Sequence, residues 1–102
     1  MDNIYMLTDR VILTKIGEKL KATRLKQNIT QQSLAESANV SLYTVKKIEK
    51  GEIRSFDALL RMLRTLGKLD VLQQLVEEEQ LSPSEYYNMV QTSKTNQRKR
   101  AV

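Results

Sequence analysis

The segment from residue 30 to residue 52 constrains the fold more than any other part of this 102-residue chain. Thr30 and Ser41 are each placed to cap a helix, because a side-chain oxygen at that position accepts a hydrogen bond from a free backbone amide. Asn39 lies between the two caps, and after glycine asparagine best tolerates the left-handed backbone that a tight turn requires. The segment therefore predicts two short helices joined by a tight turn.

The second of these helices has two chemically different faces. At about 100° per residue, one side is apolar apart from a single carboxylate and consists of Leu42, Val45, Ile48 and Glu49. The other side carries a tyrosine and three cations, namely Tyr43, Lys46, Lys47 and Lys50. An ordinary solvated helix could show the same composition. Beside a spacing typical of a helix-turn-helix, however, a cationic outer face suits phosphates and base edges of DNA.

The same residues resemble the Xre family, the lambda-repressor-like or Cro-type helix-turn-helix regulators. That family has an arginine in the first helix, then Thr-Gln, Leu-Ala, a turn glycine and a Glu-x-Gly ending. The matching positions in this chain are Arg24, Thr30, Gln31, Leu34, Ala35, Val40, Ser41, Ile48, Glu49 and Gly51. Asn28 and Asn39 stand where the family usually has glycine, and both positions end a helix, where asparagine is the accepted substitute. The resemblance covers roughly residues 14 to 67.

The resemblance implies an all-α fold, a compact five-helix lambda-repressor-like domain, and double-stranded DNA as the partner. Arg24 and Glu49 fall beside apolar positions, where a lone charge would be costly, and the resemblance implies that they pair inside the domain. The alternative is two partly exposed charges that never meet. The residues expected to contact DNA are Gln31, Gln32, Ser41, Leu42, Tyr43, Thr44, Lys46, Lys47 and Lys50.

Composition narrows the possible functions. The chain has no cysteine and no histidine, which excludes thiolate nucleophiles, imidazole bases, disulfides and the usual transition-metal sites. Glu77, Glu78 and Glu79 are consecutive, so on a helix they point in different directions and look like a solvated surface. The three glycines are isolated, so no phosphate-cradling loop occurs. We therefore expect no enzyme activity, no cofactor and no metal site.

The distribution of charge separates the chain into a basic and an acidic part. The net charge is +5 and the pI is near 9.6, which suits a polyanionic partner. Residues 1–68 hold 13 of the 17 basic and 7 of the 12 acidic residues, whereas residues 69–93 hold five acidic and no basic residues. The sequence shows neither an apolar run of membrane-spanning length nor the layout of a signal peptide, so we expect a cytoplasmic protein.

Local signals divide the chain into four parts. We expect an N-terminal extension at residues 1–7, the helix-turn-helix domain at 8–80, a short C-terminal helix at 82–91 and a disordered basic tail at 92–102. Thr8 is predicted to cap the first helix, although the β-branched run after it could begin as a strand.

The later helices are predicted from the same kinds of signal. A fourth helix should begin after Ser55 and end at Gly67, and a fifth should begin at Asp70, supported by Gln73. Ser82 should cap the C-terminal helix. The predicted apolar stripe of the fourth helix is Phe56, Leu59, Leu60, Leu63 and Leu66. The fifth helix has a broad apolar face, which could pack within the domain or meet a second copy of the chain.

Several functions fit these expectations. The first is a transcriptional repressor that binds a palindromic operator as a homodimer, with recognition helices about 34 Å apart. It could be a phage-type repressor, the controller of a restriction system, or a HipB-like antitoxin that also binds a HipA-like kinase toxin. The last possibility rests on a layout resemblance of the C-terminal segments and tail. The basic cluster of Arg98, Lys99 and Arg100 could reach phosphates or could add only solubility. A different class is an interaction module that has lost DNA binding.

Overall fold

A computed structural model describes residues 3–78 and 82–100 of the chain, with side chains described as far as residue 92. The described part is helical and contains no strand, which confirms the all-α prediction. Its α-helices are α1 (Asp9–Lys26), α2 (Gln31–Ala38), α3 (Leu42–Glu49), α4 (Phe56–Thr65), α5 (Gln73–Val76) and α6 (Pro83–Arg100). Two 3-10 turns, Ile4–Met6 and Leu69–Leu72, precede α1 and α5.

Side-chain caps start the first four helices where the sequence predicts them. The hydroxyl oxygens of Thr8, Thr30, Ser41 and Ser55 each accept a hydrogen bond from the backbone amide three residues later, at 3.0 to 3.2 Å. Each bond satisfies one of the amides that the first turn of a helix leaves free. Because α1 is helical from Asp9, the alternative of a strand at its start is wrong.

Asparagine provides the left-handed backbone at both turns of the motif. Asn28 has a φ of 58° and Asn39 a φ of 56°, which confirms their predicted role in place of glycine. The Asn39 carbonyl also accepts a hydrogen bond from Arg61 Nη1 at 3.1 Å, which ties the turn to α4. The turn between α2 and α3 is therefore held both by its own conformation and by a neighbouring helix.

The core lies between α1, α2, α3 and α4. Its buried members are Leu20, Leu34, Ala35, Ala38, Val45, Ile48, Ala58, Leu59, Met62, Leu63 and Leu66. On α4 the predicted stripe is correct at Leu59, Leu63 and Leu66 but wrong at Phe56, which is 56% exposed. Met62 is fully buried instead, because the inward face of α4 is centred between Leu59 and Met62 and the first residue of the helix falls outside it.

The fifth helix differs from its prediction. Asp70 caps nothing, because it lies inside the 3-10 turn Leu69–Leu72, and α5 is a single turn. Leu69 and Leu72 pack against the core, and their spacing of three matches the three residues per turn of a 3-10 helix. Leu75 and Val76 extend past this contact and are 76% and 74% exposed.

The C-terminal helix begins as predicted and ends later. The Ser82 hydroxyl accepts a hydrogen bond from the Glu85 amide at 3.2 Å, but α6 continues to Arg100, well past the expected end at residue 91. The stretch after Pro83 contains neither glycine nor proline to stop the helix. The disordered tail predicted at 92–102 is therefore helical as far as Arg100.

Parts of other predictions lie outside the described residues. These are the first two residues of the N-terminal extension, Glu79 of the acidic run, and the last two residues of the tail. In the part of the chain that is described, no helix combines the length and the apolar character needed to cross a membrane.

A buried ion pair joins α1 to α3. Arg24 Nε donates to Glu49 Oε2 at 2.7 Å and Arg24 Nη2 donates to Glu49 Oε1 at 3.1 Å, with side-chain exposures of 7% and 3%. Arg24 Nη1 donates to the Ile29 carbonyl at 2.8 Å, and Gln31 Nε2 donates to Glu49 Oε1 at 2.9 Å. The predicted pair is confirmed. It belongs to a network that fixes α1, the end of α3 and the start of α2 relative to one another.

Two glycines allow α1 and the end of α3 to approach closely. A Cβ at Gly17 would lie 2.5 Å from the Ile48 carbonyl oxygen and 2.8 Å from that of Glu49. Gly51 follows α3 with a φ of 88°, and a Cβ there would lie 2.8 Å from Thr14 Cα. Because the crowded atoms are backbone, they cannot move aside as the end of a flexible side chain would.

We predict that Gly17→Ala destabilises the domain. Alanine favours a helix over glycine by about 1 kcal/mol, but overpacking against fixed backbone outweighs this gain and should lower the free energy of unfolding by about 1 to 3 kcal/mol net. Urea unfolding measures the change. The exposed neighbour variant Glu18→Ala should stay within about 0.5 kcal/mol of the original protein. Equal or greater stability of Gly17→Ala would contradict the close approach.

A second prediction concerns the ion pair. Glu49→Ala leaves the Arg24 guanidinium buried without its carboxylate, so the free energy of unfolding should fall by about 3 to 5 kcal/mol. The double variant Arg24→Met/Glu49→Leu removes both charges, so its free energy of unfolding should fall by less than that of Glu49→Ala. In this variant the Ile29 carbonyl and the Gln31 amide each lose a hydrogen-bond partner. Strictly additive losses in the double-mutant cycle of Arg24→Met, Glu49→Leu and the double variant would show that the two side chains do not interact.

Candidate nucleic-acid interface

The outer face of α3 is open to solvent. Val45 and Ile48 are fully buried on the inner side of this helix, whereas Tyr43 is 68% exposed and Lys46 and Lys50 are also exposed. The helix is amphipathic in the way that the sequence predicts, with its apolar side in the core. What it presents outward is one aromatic ring and a row of cations.

The first turn of α3 is fixed by its own hydroxyl groups. Ser41 Oγ accepts a hydrogen bond from the Thr44 amide at 3.0 Å, and the two hydroxyls lie 2.8 Å apart. Leu42 is half-buried and packs against the core, so only part of its side chain is available to a ligand. Of the residues predicted at this end of the helix, Tyr43 therefore presents the largest exposed surface.

The start of α2 combines structural and exposed polar groups. Gln31 is half-buried, and its amide uses one N–H to reach Glu49, which leaves the second N–H of that nitrogen. Gln32 is exposed, and its amide nitrogen donates to Glu36 Oε1 at 2.9 Å. The Thr30 hydroxyl caps only the amide of Ser33, so the amides of Gln31 and Gln32 remain at the positive end of the helix dipole.

Lys47 is the one α3 cation that the structure pairs with an acidic side chain among the described residues. Its Nζ lies 3.1 Å from Glu52 Oε2 and 5.3 Å from the centroid of the Tyr43 ring. The hydrogen bond and the charge of Glu52 raise the pKa of Lys47 above its ordinary value, and the same contact with Lys47 lowers the pKa of Glu52. Both groups are therefore charged near neutral pH, and Glu52 neutralises part of the outer cationic face.

Two arginines near this face were not among the predicted site residues. Arg54 is exposed after α3 and lines a small cleft of about 130 Å³ together with Tyr43 and Lys47. Arg61 bonds to the turn through Asn39 and forms an exposed ion pair with Asp57 at 3.0 Å. The sequence did contain a signal for Arg54, since it lies four residues after Lys50 in a part of the chain rich in basic residues.

The predicted site residues thus occupy two neighbouring elements. Ser41, Leu42, Tyr43, Thr44, Lys46, Lys47 and Lys50 belong to α3 and its caps, and Gln31 and Gln32 belong to the first turn of α2. The two helices contact each other, and both contribute buried residues to the core, among them Leu34, Ala35 and Val45. No cluster of acidic side chains in the described ranges could hold a metal ion.

Comparison with known families agrees with this geometry. A family model described as helix-turn-helix matches residues 20–73, which include the last seven residues of α1, the whole of α2, α3 and α4, and the 3-10 turn after them. A comparison with curated proteins gives no match. The family match covers more than half of the chain, and the caps at Thr30, Ser41 and Ser55, the two left-handed turns and the buried Arg24–Glu49 pair lie within it. The protein therefore belongs to the Xre or lambda-repressor-like helix-turn-helix family, whose members are DNA-binding regulators.

Proposed function

We propose that this protein recognises a specific DNA sequence by inserting α3 into the major groove, and that it represses transcription by occupying a promoter. The observation that carries this proposal is the outer face of α3, where Tyr43, Lys46 and Lys50 are exposed on a helix whose other side is fixed in the core. The width of the major groove, about 12 Å, admits one α-helix, and the row of cations matches the phosphates that line its edges.

Phosphate binding is proposed at the start of α2. The backbone amides of Gln31 and Gln32 lie at a helix N-terminus, which favours an anion, and the Gln32 side chain is exposed beside them. Gln31 contributes the second N–H of its side-chain amide while the first stays bonded to Glu49. Contacts of this kind set the orientation of the protein on the duplex without reading its sequence.

Base reading is proposed at the start and along the outer side of α3. Tyr43 presents the largest exposed surface there, and Ser41 and Thr44 offer hydroxyl groups. Lys46 and Lys47 could donate to guanine or to phosphate, and the exposed part of Leu42 suits a thymine methyl group. Each good base contact contributes about 1 to 3 kcal/mol of discrimination, whereas a phosphate contact strengthens binding to all sequences alike.

The regulator is proposed to act as a homodimer on a roughly palindromic operator. Two copies related by a two-fold axis place two α3 helices in successive major grooves, about 34 Å apart. The class of interaction modules that have lost DNA binding is disfavoured by the exposed Lys46 and Lys50, because a mainly cationic face suits a row of phosphates better than it suits the apolar, charge-depleted centre of a typical protein interface.

Binding assays with two single variants test the docking of α3. Lys46→Ala should weaken binding to operator and random DNA alike and reduce the slope of log affinity against log salt by about 1. Tyr43→Ala should reduce discrimination between a selected operator and its single-base variants by about 1 to 3 kcal/mol. Lys21→Ala, which removes an exposed cation of α1, serves as the control. If neither α3 variant alters affinity, preference or salt dependence, the proposed docking is wrong.

The acidic partner of Lys47 yields a prediction of opposite sign. Glu52→Gln removes a carboxylate that lies 3.1 Å from Lys47 Nζ. Lys47 then does not have to give up an ion pair before it binds a phosphate, and the protein loses one negative charge that repels DNA. Affinity for DNA should rise at low salt, and the gain should shrink as salt increases. Glu18→Gln changes the net charge equally on α1 and should give a smaller gain. A loss of affinity in Glu52→Gln would mean that Glu52 positions Lys47 for binding.

A further inference from the structure

An open groove with a volume of about 860 Å³ runs along α1. Three segments of the chain enclose it, namely the 3-10 turn before α1, α1 itself, and the end of α4 with the 3-10 turn that follows. The side-chain amide of Gln27 donates to the Leu66 carbonyl at 2.9 Å, which ties the end of α1 to the end of α4. The groove is therefore preformed in the folded domain, as sites for small molecules usually are.

The apolar part of the lining is only partly covered by the chain. Leu20 and Leu63 form the floor, because they belong to the core and are 4% and 7% exposed. Ile4 and Val71 lie at the margin and are 56% and 64% exposed. The remaining apolar residues of the lining are half-buried, namely Leu7, Ile12 and Ile16. An apolar ligand in the groove would remove this surface from water, which is favourable.

Unpaired cations border the same apolar surface. At about 100° per residue, Lys15, Lys19 and Lys26 fall within about 40° of one another on one edge of α1. Lys68 adds a fourth cation in the segment after α4, where Asp70 is the one acidic residue among the described residues of the lining. All four lysines are exposed, and none of them forms an ion pair with an acidic side chain of the described chain. Four cations against one carboxylate leave the groove with an excess of positive charge.

We propose that this groove binds a fatty acid anion, with the acyl chain on the apolar floor and the carboxylate at the lysine row of α1, which consists of Lys15, Lys19 and Lys26. The volume lies in the range of about 300 to 1,000 Å³ that is usual for small-molecule sites, and such sites combine a mainly apolar lining with a few polar groups. A lysine can lay its methylene groups along apolar surface while its ammonium group contacts a carboxylate at the margin.

Charge and hydrophobicity together select this class of ligand. A neutral hydrocarbon would leave the ammonium groups without a partner, and a cationic amphiphile would be repelled by them. A row of phosphates, as in DNA, would use the lysines but would leave the apolar floor in water. A molecule with one apolar end and one anionic end matches both parts of the lining.

Occupation of the groove leaves the proposed DNA-binding face open. None of the described residues that line the groove belongs to α2 or α3. The fatty acid and DNA should therefore bind at the same time, and the groove assignment does not depend on the proposed function. A protein that binds the fatty acid but no DNA would overturn the proposed function and leave the groove assignment standing.

Calorimetric titration of the full chain with dodecanoate, below its critical micelle concentration and without DNA, tests the assignment. Binding should saturate at about one molecule per chain, as expected of a single preformed site. Octanoate should bind more weakly, by up to about fourfold for each methylene group that is no longer buried. Dodecyltrimethylammonium has the same chain length with a positive head group, and it should bind at least about tenfold more weakly than dodecanoate.

Two variants of the lining should change the affinity for dodecanoate in opposite directions. Lys15→Glu/Lys19→Glu reverses two charges of the lysine row and should weaken binding at least about tenfold. Asp70→Asn removes the one repelling carboxylate and should strengthen binding by about two- to fivefold. The matched control Arg10→Glu/Lys21→Glu changes the net charge as much as the first variant, but at exposed positions of α1 outside the groove, and should stay within about twofold. Circular dichroism verifies that every variant is folded, and a gain of affinity in Asp70→Asn cannot come from a loss of folding.

Several results would overturn the assignment. They are the absence of saturable dodecanoate binding, equal binding of the cationic analogue, equal losses in the groove and control variants, and no gain in Asp70→Asn. Sedimentation with phosphatidylglycerol vesicles separates a free fatty acid from a membrane surface, and binding to vesicles without binding of monomeric dodecanoate would also contradict it. Displacement of dodecanoate by DNA would assign the lysine row to the DNA-binding face instead.

Discussion

The buried pair of Arg24 and Glu49 is the interaction on which the placement of α3 depends. It joins the first helix to the last residue of α3, and the same two side chains bond to Ile29 and Gln31 at the start of α2. A buried ion pair contributes little net stability compared with apolar residues of the same volume. Its contribution here is geometric, because a planar guanidinium donates in fixed directions and one arrangement of the three elements satisfies them all. No buried polar side-chain atom in the described part of the chain lacks a partner.

The outer face of α3 follows from how its inner face packs. Burial of Val45 and Ile48 sets the rotation of the helix about its axis, and the close approach at Gly17 sets the distance of its end from α1. With rotation and distance both determined, the directions of Tyr43 and Lys46 are determined as well. Recognition chemistry on this scaffold can therefore change by substitution of outward residues without a change in the packing beneath them.

The sequence was most informative where a feature depends on neighbouring residues. The caps at Thr8, Thr30, Ser41 and Ser55 and the left-handed Asn28 and Asn39 are local features, and each was predictable because the atoms involved lie within a few residues. The ion pair was implied by family resemblance, since its partners are 25 positions apart.

Features that depend on tertiary contacts were harder to predict. The need for glycine at position 17 arises from backbone atoms of α3 that are distant in sequence, so no local pattern marks it. The single turn of α5 reflects how Leu69 and Leu72 fit the core, which helix propensity does not reveal. At the site, the exposure of Tyr43 and Lys46 followed from periodicity, whereas the ion pair of Lys47 with Glu52 required the chain to turn back after α3.

The amide of Gln31 has a consequence for how sequence variation at this position can be interpreted. One of its N–H groups completes the buried network, so a single side chain serves the interior and, with its second N–H, the proposed phosphate contact. Under the proposed docking, a substitution there alters both the stability of the fold and the affinity for DNA. Screens that score only activity in cells cannot separate these two defects, and evolution cannot adjust one of them without affecting the other.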